Sequence, residues 1–401
     1  MTDIKLLQYI IDNDIIDLSS TRKEYEKMKR NYDLSKHKYD IWQGKNGKWY
    51  TYIPNEENGR KLVKRTTKED VENVIIDHYK EKENNPDFKE VFNSWIDNKL
   101  NLDEISKGTY DRYKVDYKKY FENAEINNTK IKSITDIYLE DVIRQTIVEF
   151  KLTQKAYANM RTIVIGIFKH AKRLGLTKIS ISSFFNDLEL SKNVFKKNIK
   201  VKEDQVYLEN EIPIIANYLK DNSTLPNLAL LLAFQTGIRA GELSTLKFTD
   251  VLKNSIHVQR TEVKYRDVKT NKYVHDIKEF PKSEAGDRYV ILTSSALETI
   301  KMIKNRNPVS DFMFEINGRR ILANTFNDYL RNACKRCNIN MKSMHKIRRT
   351  YGTTLIDSGV DESLIMEQMG HTDISTTKKF YYYSNKDNDS KKKQIEQAIN
   401  I

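Results

Sequence analysis

The sequence predicts a multidomain chain, mainly α with small β elements. A three-stranded sheet plus one helix comes first, a helical bundle second, and a larger mixed α+β unit last. Three observations carry this. Asn46-Gly47 and Asn58-Gly59 punctuate alternating segments between residues 39 and 66, and Asn-Gly in that setting is the strongest short hairpin signal. Residues 88–192 repeat apolar residues at three- and four-residue spacing, the period of a helix. From about Gln205 the pattern is mainly helical, with strand-like stretches only between Ser255 and Leu292. At 401 residues the chain has room for two or three domains, at roughly 100–200 residues each.

Taken in order, residues 1 to about 35 are expected to be helical, with apolar spacing in Ile4 to Ile11. The strands follow from residue 39, and both Asn46 and Gly47 are expected at positive φ. Thr67 caps a helix running to about Lys82, with Asp70 three residues on as its acidic partner. The first domain is therefore 1–82. Its sheet carries Trp42, Trp49, Tyr50 and Tyr52 among Lys45, Lys48, Lys61, Lys64 and Arg65. Aromatics among basic residues suit a sheet that reads DNA. They also suit the core of a small domain, and alternation lets both hold.

Glu81 to Asp87 is polar, contains Pro86 and reads as a linker. The second domain, 88–192, has helical pattern over Phe88–Leu100, Lys107–Phe121, Thr135–Phe150 and Thr153–Arg173. Its many lysines and arginines form a candidate DNA face, although each alone reads as a solvated charge. Asn193 to Asp204 is basic and without period, a second linker suited to lie along phosphates. The third domain is 205–401. Its Leu228–Gln235 stretch is far short of the ~20 residues of a membrane span and reads as a buried helix.

The formal net charge of +13 favours a polyanionic partner, nucleic acid before an anionic membrane. The N-terminus lacks a basic segment followed by an apolar stretch, so a cytoplasmic location is expected. Cys334 and Cys337 are the only cysteines. No second ligand pair stands near them, so they read as packing residues on one helix.

The chemistry is expected in the last domain. Gly237 ends one helix and Ala240 starts another, which puts Arg239 in a tight turn. An arginine there is costly to bury unless it is paired or meets an anion. Its planar fork fits a phosphate bidentately, and Glu242 offers the competing salt bridge. His345 and Arg348 lie three apart and share one helical face, while Arg349 points elsewhere. Thr350–Ser358 and Asp361–Met369 read as two helices joined at Gly359. Gly370 stops the second, His371 follows, and a tyrosine cluster stands at Tyr381 to Tyr383.

In TGIRAGELSTL around Arg239, HKIR at 345–348 and GHTDISTTKKFY at 370–381, the sequence closely resembles the tyrosine recombinase (phage integrase) family. The order and spacing of the three motifs agree. The resemblance implies a catalytic domain over the last half of the chain, a core-type DNA-binding domain in the bundle, and an arm-type DNA-binding domain in the sheet unit. It implies that Arg239 and Arg348 clamp the scissile phosphate and that His345 and His371 complete the phosphate site. Phe280 to Leu292 resembles the family's lysine-bearing hairpin, with Lys282 where the lysine belongs. Tyr381 is the expected nucleophile, with Tyr382 and Tyr383 as rivals. Adjacent helical residues differ by about 100° in direction, so at most one of the three can face the phosphate.

The resemblance further implies a site-specific recombinase that forms a 3′-phosphotyrosyl intermediate and integrates or excises a mobile element. Neither metal nor ATP is expected as a cofactor. The implied partners are double-stranded DNA at core and arm sites, three further copies in a homotetramer, and an excisionase or a host DNA-bending protein. No membrane partner is expected, and the location is nucleoid-associated. The basic tail from Ser384 reads equally as a frayed end or a segment that packs on a neighbouring subunit. A type IB topoisomerase and a non-catalytic DNA-binding regulator are the alternative readings. The separate N-terminal sheet argues against the first, and the full Arg-Lys-His-Arg-His-Tyr set against the second.

Overall fold

The computed structural model describes residues 18–55, 59–197, 201, 204–267, 270–279, 284–371 and 384–399, without the side chains of 18–22, 80 and 82–84. The chain divides into two compact units, Met1–Ile105 with Arg112–Lys196, and Ser106–Asp111 with Lys197–Ile401.

The first unit opens with α1 (Leu18–Ser35), followed by β1 (Trp42–Gln43), β2 (Trp49–Asn55) and β3 (Gly59–Arg65) in an antiparallel sheet of that order. Thr51 and Ile53 of β2 and Val63 of β3 are buried, as are Val71, Ile75 and Ile76 of α2 (Lys68–Asn84). Thr67 caps α2 by accepting the Asp70 backbone N–H at 3.1 Å and donating to its carboxylate at 2.7 Å. The alternate residues turn the other way. Trp42 stacks on Tyr50 at 5.8 Å, and the Arg60 guanidinium sits 4.3 Å from the Tyr52 ring centre. The sheet thus buries small and aliphatic residues on one face, where Trp49 shares the parity of Thr51 and Ile53, while Trp42, Tyr50 and Tyr52 line the other.

Two details differ from expectation. Gly47 has φ +74°, but Asn46 is not at positive φ. The Gly47 N–H bonds to Gly44 O at 2.9 Å, so the loop closes as a turn followed by one left-handed glycine, and the longer loop needs only that one. The expected linker at 81–87 is mostly helix, because α2 runs to Asn84. Glu81, Lys82 and Glu83 are good helix formers, and only Pro86 forces the residue before it out of helical backbone.

Asp87 then starts α3 (Phe88–Asn101) in a full capping box with Glu90. The bundle continues with α4 (Lys107–Tyr120), α5 (Asp136–Glu149), α6 (Gln154–Arg173) and α7 (Ile181–Asp187). Thr135 and Thr153 cap α5 and α6 through their side chains. Phe88, Val91, Phe92 and Ile96 of α3 and Ile163, Val164, Ile167 and Phe168 of α6 are buried, and α3 packs on α6.

In the second unit α9 (Leu225–Thr236) is the central helix, contacting α8 (Glu211–Asp221), α11 (Ser294–Arg306), α12 (Thr325–Arg336) and α13 (Met344–Asp357). It is apolar all round, as a helix enclosed on every side must be. Between α9 and α11 lie α10 (Ala240–Leu243), β4 (Ser255–Val258), β5 (Thr261–Arg266), β6 (Tyr273–Lys278) and β7 (Arg288–Ile291). β5 pairs with β6 as a hairpin, and β4 pairs with β7. α14 (Glu362–Met369) and α15 (Asn388–Ala398) follow α13. Cys334 is fully buried in the core, with Sγ 3.4 Å from the Tyr207 hydroxyl. No helix among the described residues is long and apolar enough to cross a membrane.

Candidate active site

The first piece of the site is the turn between α9 and α10. Thr224 caps α9 and Pro226 stands in its first turn, while Gly237 ends it at φ 64° with its N–H on Ala233 O. A Cβ at Gly237 would collide with the Tyr351 ring, so glycine is required here for conformation and for space. Arg239 follows in extended backbone as the N-cap of α10. Its N–H donates to Glu242 Oε2 at 3.0 Å and its Nη1 donates to Glu242 Oε1 at 2.7 Å. The salt bridge therefore forms, and it aims the guanidinium rather than consuming it. Nη2 reaches Gly370 O at 3.4 Å, and the side chain stays 40% exposed.

α10 is a single turn, ending at Leu243, three residues before Leu246. The Ser244 and Thr245 hydroxyls donate to the Gly241 and Glu242 carbonyls. Such local bonds compete with helix continuation. Leu246 is still buried, as its apolar character demands.

α13 supplies the second piece. HKIR and Thr350–Asp357 lie on one continuous helix, with Gly359 just beyond its end in left-handed backbone. Arg348 is 1% exposed. Nη1 donates to Gly237 O at 2.8 Å, and Nη2 donates to Met369 O and lies 3.2 Å from His371 Nε2. Arg349 turns away, with Nη1 on Gln205 Oε1 at 2.8 Å.

The third piece is the end of α14. Gly370 terminates it at φ 59°, and a Cβ there would collide with Ala285 O and stand 2.9 Å from Arg288 Cδ. His371 is 9% exposed. Arg239, Arg348, His345 and His371 thus converge from α9–α10, α13 and the end of α14. Lys282, in the connection from β6 to β7, and Tyr381, with Tyr382 and Tyr383, lie outside the described residues.

The charges are unbalanced by design of the fold. Three guanidiniums, from Arg239, Arg288 and Arg348, act on the single carboxylate of Glu242. Burial alone would raise the Glu242 pKa, yet Arg288 first, then Arg239 and Arg348, hold it down to about 2. His371 is pushed down to about 3 by burial and then by Arg348, Arg239 and Arg288. His345 is pushed down to about 4 by loss of hydration and then by Arg349, Arg348, Lys346 and Arg239. Its outer edge stays exposed, so water screens part of that push. Near neutral pH the site offers fixed cations and two neutral imidazoles, a setting that favours a bound anion.

Residues 205–388 match the phage integrase family. Across 375 residues the chain is 27% identical to the tyrosine recombinase XerC-like protein of Caldanaerobacter subterraneus subsp. tengcongensis, covering 84% of this chain and 93% of that one. It is 22% identical to the ICEBs1 integrase of Bacillus subtilis, covering 71% and 74%. The last domain, over residues 205–388, is a member of the phage integrase family. In fold, the recombinase resembles a Tn1549 transposon integrase fragment in complex with transposon right end DNA. The TM-score is 0.58 at 18% identity, over 77% of this chain and 99% of that one. It also resembles lambda integrase from a tetramer bound to a Holliday junction, with TM-score 0.53 and 15% identity over 84% and 96%.

Arg288 is the member of this recombinase's site that sequence reasoning missed. A signal was present. In Arg288-Tyr-Val-Ile291, Arg288 shares the inward parity with Val290, whereas Tyr289 and Ile291 point out. A charge on the buried parity of a strand demands a partner.

The histidines give a pH prediction. Folded His371 and His345 hold fewer protons than the unfolded chain below about pH 6.5, so stability falls as pH falls from there toward 3–4. In the free recombinase, the His371 ring resonances should stay those of neutral imidazole down to about pH 4. A DNA phosphate should raise the midpoint. Titration of His371 near 6.5 without DNA would contradict this electrostatic picture.

Proposed function

We propose that the recombinase cuts one strand of a DNA duplex with Tyr381 and rejoins it to another, integrating or excising a mobile element. The observation that supports this most is the convergence of Arg239, Arg348 and His371 on one cationic, partly open centre, with His345 near enough to feel the charge of both arginines. Attack of the phenol oxygen on phosphorus forms the phosphotyrosyl bond and breaks the bond to the 5′-oxygen. Negative charge builds on the non-bridging oxygens, where the fixed arginine donors stabilise it electrostatically. His345 takes the tyrosine proton, and Lys282 gives one to the leaving 5′-oxygen. A 5′-hydroxyl from the exchanged strand then reverses the same steps. The bond energy is kept in the phosphotyrosyl link, so no nucleotide is consumed.

The three domains divide the DNA contacts. Residues 1–82 take an arm site with the outer face of the sheet, where Trp42, Tyr50 and Tyr52 lie with Arg60 and Lys64. Residues 88–192 take the core site, and 205–401 carry the chemistry. Four copies act on a four-way junction, with an excisionase or host DNA-bending protein setting direction. Ile395 of α15 and its cap residue Ile399 are about three-fifths exposed, which suits docking on a neighbouring copy. The work is done on cytoplasmic, nucleoid DNA.

The test is a suicide duplex carrying the core site and nicked beside the scissile phosphate, mixed with the full chain in EDTA. A covalent protein–DNA band is expected, resistant to boiling in detergent. Strict dependence on added Mg²⁺ or Mn²⁺ would rule the mechanism out.

A further inference from the structure

Arg288 lies in none of the three motifs, yet it is 5% exposed and fully engaged. Its Nη2 donates to Glu242 Oε2 at 2.8 Å and its Nη1 to Glu242 Oε1 at 3.2 Å, a bidentate grip. Nε donates to Gln368 O at 2.9 Å, and Nη1 also to Gly286 O at 3.2 Å. One side chain therefore ties together three segments. Glu242 is the carboxylate that aims Arg239. Gln368 is three residues before His371. Gly286 is four residues after Lys282. The missing Cβ of Gly370 is what lets the turn before His371 press against Arg288 and Ala285.

The Glu242 carboxylate serves two cations with divided roles. Arg288 holds it from the buried side. Arg239 touches it from the open side and keeps Nη2 directed toward the site. Without Arg288, Glu242 would be a buried carboxylate with Arg239 as its nearest cation. Such a carboxylate either draws that arginine into a full ion pair or takes up a proton. Either way Arg239 loses the aim that a phosphate clamp needs, because a misplacement near 1 Å is enough to cost rate.

We propose that Arg288 is a positioning residue for strand cleavage, acting through Glu242 on Arg239. This rests on the reading of Arg239 as a phosphate clamp. Arg288→Met should leave core-site affinity in gel shifts unchanged. It should slow single-turnover formation of the covalent adduct roughly 10- to 100-fold, the scale of losing a residue that orients a functional group. Arg288→Lys keeps a cation for Glu242 but lacks the planar fork, so it should fall between Met and wild type. The discriminating arm is non-additivity. In an Arg239→Lys background, already slow, Arg288→Met should cause little further loss. A purely structural role would multiply the two losses, which would overturn the inference. If Arg288→Met does not fold, Arg288→Lys in both backgrounds answers the same question. If Arg239→Lys cleaves at the wild-type rate, the clamp reading has failed instead.

Discussion

Tyr381→Phe should give no covalent adduct on a suicide substrate while shifting the same DNA at the same concentration as the parent chain. In the proposed mechanism the Tyr381 phenol oxygen is the nucleophile, and phenylalanine has no oxygen to offer. Tyr382→Phe and Tyr383→Phe should both trap adduct, since helical neighbours point about 100° apart. Mass spectrometry of the digested adduct should place the nucleotide on Tyr381. An adduct formed by Tyr381→Phe but lost in Tyr382→Phe would move the nucleophile by one residue and sink this assignment.

Arg348→Ala should have the next largest effect, and of two kinds. Cleavage should fall by ~10²–10³, as for loss of a preorganised donor at developing charge. Stability should fall too, because Gly237 O and Met369 O lose a buried donor, at about 1–3 kcal/mol for each group left unmatched. Arg239→Ala should show the first effect with little of the second, since that side chain is 40% exposed and Glu242 keeps its grip on Arg288. Thermal melts alongside single-turnover rates separate the two. Equal melting temperatures for Arg348→Ala and wild type would mean that the buried contacts contribute nothing to stability.

Much of this was legible in the sequence, for identifiable reasons. The four long helices of the bundle carry unbroken apolar periods, and Thr135 and Thr153 announce two of their starts. Asn-Gly and alternating residues gave the N-terminal sheet. Arg239, His345, Arg348 and His371 stood out because each sits beside a glycine stop or on a short shared face. Less was readable where a contact between distant segments decides the outcome. The bidentate Arg288–Glu242 pair spans 46 residues, and no local pattern encodes it beyond the inward parity of Arg288. The early end of α10 depends on hydroxyls that choose carbonyls over helix continuation. The extension of α2 through Glu83 shows a polar, charged stretch behaving as helix until Pro86 intervenes. Which faces the N-terminal aromatics would take was open from sequence. The register Thr51↔Val63 settles it by placing Tyr50 and Tyr52 outside and Trp49 on the inner parity.

The Arg348 clasp also bears on how the chain is made. It joins residues 111 positions apart on one side and 21 on the other, while Arg239 reaches a carbonyl 131 positions away. Chains fold from the N-terminal end as they emerge, at roughly 5–20 residues per second. The sheet and the bundle are therefore complete while the ribosome is still far from Met369. A chain interrupted before Met369 lacks the carbonyl that Arg348 Nη2 donates to and the turn that leads to His371. Closure of the Arg348 clasp is therefore a late event of synthesis, one that waits for the last turn of α14.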